Sequence, residues 1–97
     1  MRIISRKALK DFWETHADAA EPLKAWFHEA KVADWNSFGD IKARYRSADV
    51  LPGQRVVFNI KGNTYRLVVK IHYNTRVVYI RFVGTHAAYD RINAETI

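Results

Sequence analysis

Residues 55–90 read RVVFNIKGNTYRLVVKIHYNTRVVYIRFVGTHAAYD. Three runs of β-branched and aromatic residues are separated by Lys61-Gly62-Asn63-Thr64 and Tyr73-Asn74-Thr75-Arg76, both turn-forming. The stretch predicts a three-stranded meander. A turn centred on Gly62-Asn63 sets Ile60 opposite Tyr65, Asn59 opposite Arg66 and Phe58 opposite Leu67. A turn centred on Asn74-Thr75 sets Lys70 opposite Tyr79, Val68 opposite Arg81, Leu67 opposite Phe82 and Arg66 opposite Val83. Strand side chains alternate between faces. One face therefore carries Val56, Phe58, Ile60, Leu67, Val69, Ile71, Val78, Ile80 and Phe82, a core. The other carries Asn59, Lys61, Arg66, Lys70, His72, Tyr79 and Arg81. A face so rich in cations, on strands otherwise built for burial, calls for an anionic partner.

Working outward, Arg2 to Ser5 is β-prone and is expected to add a strand to the meander. Ser5 is placed to cap a helix running to about His16, whose Leu9, Phe12, Trp13 and His16 share one face. Asp18 and Glu21 resemble a capping pair, and Pro22 suits a first helical turn. The helix they open repeats the spacing with Leu23, Trp26, Phe27 and Ala30. A possible short third helix has Trp35, Phe38, Ile41 and Tyr45 as anchors and Asp34 or Asn36 as cap, although Gly39 costs about 1 kcal/mol inside it. Ser47 to Gln54 reads as a loop, Thr85 as the cap of a single turn through Tyr89, and the tail from Arg91 as frayed. The expected fold is α+β: one domain, residues 1–97, with the N-terminal strand and the helices packed on one face of a twisted antiparallel sheet.

The chain carries a net charge of +6, and its distribution is more informative than the sum. Between Asp49 and Asp90 there is no acidic residue, while Arg55, Lys61, Arg66, Lys70, Arg76 and Arg81 fall inside that window. The positive field belongs to the sheet, and a nucleic-acid backbone is the expected anion. The absence of cysteine excludes a thiol nucleophile and a Cys-ligated zinc site, and fits a cytoplasmic protein. His16, His28 and His72 lack the short paired spacing of a metal motif, so no metal or other cofactor is assigned. No apolar run approaches the roughly 20 residues of a membrane span.

The meander register brings Arg66, Arg81, His86 and Tyr89 toward one region. That set suits a phosphodiester. Cleaving RNA without a metal requires removing the 2′-hydroxyl proton, neutralising the charge that builds around phosphorus, and protonating the 5′-oxygen that leaves. An imidazole performs either proton transfer near neutral pH, and a guanidinium offers two parallel donors to phosphate oxygens. Asn59, Lys61, Lys70 and Tyr79 are the expected RNA-binding residues around them. A solvated face of ordinary surface charges, and a histidine that merely caps a helix, are the competing readings.

The strand Tyr65-Arg66-Leu67-Val68-Val69-Lys70-Ile71, the strand Val78-Tyr79-Ile80-Arg81-Phe82-Val83 and the ending Thr85-His86-x-x-Tyr89-Asp90 together resemble the HigB-type toxins of bacterial toxin-antitoxin pairs, in the RelE/ParE superfamily. The similarity extends to Arg6-Lys7-Ala8-Leu9 and to Pro22-Leu23-Lys24-Ala25-Trp26. It implies a RelE-like fold, cleavage of messenger RNA on the ribosome with contacts to ribosomal RNA, and neutralisation by a cognate helix-turn-helix antitoxin of the HigA kind. Arg66 falls on the strand arginine that RelE-like nucleases use at the phosphate. His86 falls where RelE has an arginine, and Tyr89 lies near its C-terminal tyrosine. The paired lysines of RelE are absent, Val57 and Asn59 standing there with Lys61 nearer the turn, so His86 is preferred over Lys61 or Lys70 as the general base. Two other functions share these features: a ParE-like toxin that poisons DNA gyrase without nuclease chemistry, and a plain RNA-binding module.

Overall fold

A computed structural model describes residues 1–97. Its order is β1 (Arg2–Ile4), α1 (Arg6–Thr15), a 3-10 turn at Ala17–Ala19, α2 (Ala20–Val32), α3 (Phe38–Arg44), β2 (Asp49–Leu51), β3 (Arg55–Ile60), β4 (Tyr65–His72), β5 (Val77–Thr85) and α4 (His86–Tyr89). The five strands form one sheet in the order β1-β5-β4-β3-β2. The architecture is the expected α+β one, with two additions. The sheet is mixed rather than antiparallel throughout, because β1 lies parallel to β5, Ile3 beside Val78. The segment read as a loop before β3 contains β2, which pairs antiparallel with β3 and leaves Val50 exposed on the sheet edge.

Helices α1, α2 and α3 turn their apolar stripes onto one face. Leu9, Leu23, Trp26, Ala30, Trp35 and Ile41 meet Val56, Phe58, Ile60, Leu67, Val69, Ile71 and Val78 in a core of 16 buried residues. Phe58 is its aromatic hub, edge-on to Trp26 and Tyr45 at 5.4 and 5.1 Å between centroids and stacked with Trp35 at 6.2 Å. Arg44 and the Tyr45 hydroxyl both bond the Glu29 carboxylate, tying α3 to α2, and burial together with that carboxylate pushes the Tyr45 phenol up. No helix is long and apolar enough to cross a membrane.

Asp18 does not cap α2. Its carboxylate instead accepts a hydrogen bond from the Tyr65 hydroxyl and pairs with the Lys61 ammonium at 2.7 Å, fastening the 3-10 turn to the β3–β4 hairpin. Those two bonds hold the Asp18 carboxyl below its ordinary range and raise the Tyr65 phenol. Ser5 precedes α1 without a side-chain cap, whereas Thr85 caps α4 as expected, its Oγ1 accepting from the Ala88 N–H at 3.1 Å.

The first hairpin has the expected register, Asn59 beside Arg66 and Phe58 beside Leu67. The second begins as expected, with Lys70 beside Tyr79, then shifts by one residue at a β-bulge between Val68 and Val69. Beyond it Val68 pairs with Phe82, Leu67 with Val83 and Arg66 with Gly84, which leaves Arg81 as the extra residue. The expected pairings of Val68 with Arg81, Leu67 with Phe82 and Arg66 with Val83 are therefore each one residue out, and two side chains change sides. Val83 packs against the helix-covered core, and Phe82 joins Val57 and Val68 on the opposite face.

The tail is not frayed. Tyr89, Ile92, Ala94 and Ile97 fold back over Val57, Val68 and Phe82 and make a second, small apolar cluster. Arg55 fixes it there, donating from Nε and Nη2 to the Ile97 carbonyl at 2.8 and 2.6 Å.

Candidate nucleic-acid interface and active site

The face away from the helices is thus an apolar saddle under the tail, with polar groups at either end. Arg66, Gly84, His86 and Tyr89 stand at the end formed by the β3–β4 turn. Arg66 sits opposite Gly84, two residues before α4 begins. Its Nη1 donates to the Asn63 carbonyl at 3.3 Å, and its Cζ stands 5.9 Å from the centre of the Tyr89 ring. This steadies a guanidinium that is still half-exposed. The His86 N–H bonds the neighbouring Thr64 carbonyl at 3.3 Å, so one turn holds both the arginine and the start of α4.

Gly84 is needed for this packing. A Cβ there would lie 2.5 Å from Cζ of Phe82, whose ring leans across it toward Tyr89, 6.4 Å between centroids. A side chain at position 84 would push Phe82 into Tyr89 and so disturb the group resting against Arg66.

His86 is exposed and paired: Nδ1 lies 3.2 Å from Oδ2 of Asp90, four residues on. A ring that donates Nδ1–H to this carboxylate has Nε2 left as its acceptor when neutral, the arrangement a general base requires. Asp90 is the functional candidate that the sequence reading passed over. Its signal was present in the His-to-Asp spacing of four across a helical turn.

The other expected residues divide. Arg81, expected two residues from the partner of Arg66, stands three residues from it because of the bulge, about 10 Å along the strand from Gly84 at roughly 3.3 Å per residue. It is exposed and has no protein partner. Lys70 and Tyr79 are paired with each other at the far end of the face, where the Tyr79 ring meets His72 edge-on at 5.2 Å. Asn59 lies beside Arg66 but donates to the Ser47 carbonyl at 3.4 Å. Lys61 is drawn to the helix side by Asp18, and Arg76 likewise by Asp34 at 2.5 Å. No three histidine, aspartate or glutamate side chains come together in a way that could hold a metal ion.

Comparison with known proteins agrees with this architecture. Residues 19–92 match the family described as HigB_toxin, the RelE-like toxic component of a toxin-antitoxin system. The chain is 31% identical over 96 residues to the mRNA interferase toxin HigB of Escherichia coli K12, covering 97% of this chain and 92% of that protein. The mRNA interferases HigB of Escherichia coli O157:H7 and Shigella flexneri match to the same extent. With most of its core, its whole meander and its C-terminal Thr-His-x-x-Tyr-Asp turn inside the family match, the chain belongs to the HigB family of RelE-like toxins, the toxic halves of toxin-antitoxin pairs.

Proposed function

We propose that this toxin acts by cutting messenger RNA on the translating ribosome, with Arg66, His86 and Tyr89 at the cut phosphodiester. The observation that carries the reading is the convergence at the β3–β4 turn of a half-exposed guanidinium resting on a phenol ring with a carboxylate-oriented imidazole. The relatives' printed name, mRNA interferase, supports the same chemistry.

The His86 imidazole takes the proton of the ribose 2′-hydroxyl, and that oxygen attacks phosphorus as the bond to the 5′-oxygen breaks. The leaving oxygen needs a proton, which the imidazolium formed in the first transfer can return. Arg66 donates two parallel N–H groups to the non-bridging oxygens, where negative charge increases in the transition state. Tyr89 holds that guanidinium and offers a face on which a base can stack. Asp90 stabilises the imidazolium and fixes which nitrogen faces the substrate.

A toxin of a toxin-antitoxin pair has an antitoxin partner. Our reading of that partner is a small helix-turn-helix protein of the HigA kind, which would silence the toxin by masking the cationic face.

Brief induction followed by sequencing of cellular RNA 5′ ends tests the assignment. His86→Ala and Arg66→Ala are each expected to lower cleavage by about 10²- to 10⁴-fold and to relieve growth arrest, with circular dichroism unchanged. Undiminished cleavage in both variants, or DNA damage signalling without messenger cleavage, would overturn it.

A further inference from the structure

The five strands carry five cations, and they differ in what they touch. Arg55 is bound to the tail carbonyl, and Arg66 to the turn and Tyr89. Arg2, Lys70 and Arg81 have no hydrogen-bond or ion-pair partner, although each side chain stands on the face away from the helices. That placement follows from the register. Arg2 is beside Val77, which is beside His72; Ile4 is beside Tyr79, which is beside Lys70; and Arg81 lies two residues beyond Tyr79. The three unpaired cations thus surround the His72–Tyr79 ring pair at the β4–β5 end of the sheet.

Burial argues against a purely structural role for this group. Arg2 and Arg81 are exposed, and Lys70, His72 and Tyr79 are only partly covered. Like charges gathered without a carboxylate repel one another, a cost that an anionic ligand removes. The bulge adds to the cluster, since it turns Arg81 and Phe82 to the same face in succession. From Gly84 back to Tyr79 is five residues of β5, on the order of 15 Å at strand rise. Phe82 and the tail residues Ile92 and Ala94 occupy the space between.

We propose that Arg2, Lys70, Arg81, His72 and Tyr79 form a second RNA subsite, separate from the cut phosphate. It would take an unpaired stretch of RNA, with phosphates on the three cations and a base stacked on the Tyr79–His72 rings. The inference rests on the ribonuclease reading of the other end and moves Arg81 from the reacting phosphate to a distant one. The RNA would be either the messenger a few nucleotides from the cut or an unpaired segment of ribosomal RNA. Rings set among the cations favour nucleotides over an acidic peptide, which would need the charges alone.

The test uses the full chain in a His86→Ala background, so that bound RNA stays intact. Binding of a single-stranded RNA of about 12 nucleotides, and of purified ribosomes, is measured across a salt series. Paired Arg2→Gln and Arg81→Gln substitutions are expected to reduce the slope of log affinity against log salt by about 1.4, at roughly 0.7 per lost phosphate contact. Tyr79→Leu is expected to weaken binding by about 5- to 150-fold with the slope retained. Lys31→Gln, an exposed cation on the helix side, serves as the charge-removal control for each single substitution and should alter neither. An effect on the short RNA assigns the subsite to the messenger, and an effect confined to ribosomes assigns it to ribosomal RNA. Unchanged slopes and affinities in both arms would overturn the proposal, as would a loss confined to antitoxin binding. In the cleaving protein the same substitutions should raise KM while retaining kcat. Failure of the subsite would leave KM unchanged while Arg66→Ala and His86→Ala remained inactive; failure of the ribonuclease reading would show as cleavage by those two variants.

Discussion

The two faces of the sheet are made from the same strands and do different work. Beneath the helices, large apolar side chains interlock around Phe58, and few substitutions can be absorbed without moving a neighbour. On the other face, only the tail with Leu51 and Tyr89 covers Val57, Val68 and Phe82, and the polar groups on either side bear little of the packing. Stability and function are therefore largely separable here by the direction in which a side chain points, more than by position along the chain.

The sharpest way to break that comparison is to empty one site on each face. Phe58→Ala is expected to cost about 3–5 kcal/mol, measured as the urea midpoint shift multiplied by the transition slope. Val68→Ala, beneath the thin tail, should cost less, because the tail can settle into the space. Equal losses would show the tail to be as integral to the core as the helices are.

Gly84→Ala tests the join between packing and chemistry. Displacing the Phe82 ring should cost about 1–3 kcal/mol and should reduce cleavage by more than the fraction unfolded accounts for. The readouts are thermal unfolding and single-turnover cleavage.

The smallest expected effect lies at the hairpin tether. The Asp18 carboxyl is depressed below 3.8 by its bonds to Lys61 and Tyr65. The protons it must take up on acidification bind more tightly in the unfolded chain, so its contribution is complete above the unfolded value and fades as pH falls through the folded one. Asp18→Asn should therefore lower stability near neutral pH and flatten its decline on acidification below about pH 4, read from denaturant midpoints. An unchanged acid limb would show that the tether is not what makes the hairpin acid-sensitive.

Much of this was legible in the sequence because its signals were local. Gly62-Asn63 and Asn74-Thr75 set hairpin registers that the structure reproduces up to Val69, and the apolar spacings of α1 and α2 identify the faces that are buried. What escaped was non-local or silent. Val78 to Val83 alternates so regularly that nothing in it announces an inserted residue, and no glycine marks the bulge. Asp49-Val50-Leu51 is too short, and too close to Pro52-Gly53, to stand out as a strand. Asp18 reads as a helix cap because the residues that claim it, Lys61 and Tyr65, lie more than 40 positions away. At the candidate site, Arg66, His86 and Tyr89 were singled out by residue type and register, whereas that one silent insertion sets Arg81 one residue farther from Arg66 than the register implied.

The bulge also gives β5 two reading frames. Upstream of Arg81 the strand's odd positions look outward; downstream, the even ones do. Substitutions that retune what the Tyr79 end holds need not propagate to Gly84, because the frame restarts between them. Deleting Arg81 would merge the frames with Phe82 still outward and Val83 still inward, because the residue removed is the one the ladder leaves unpaired. A length change of one residue is thus absorbed at Arg81, whereas the same change elsewhere in this strand would turn side chains over from one face to the other.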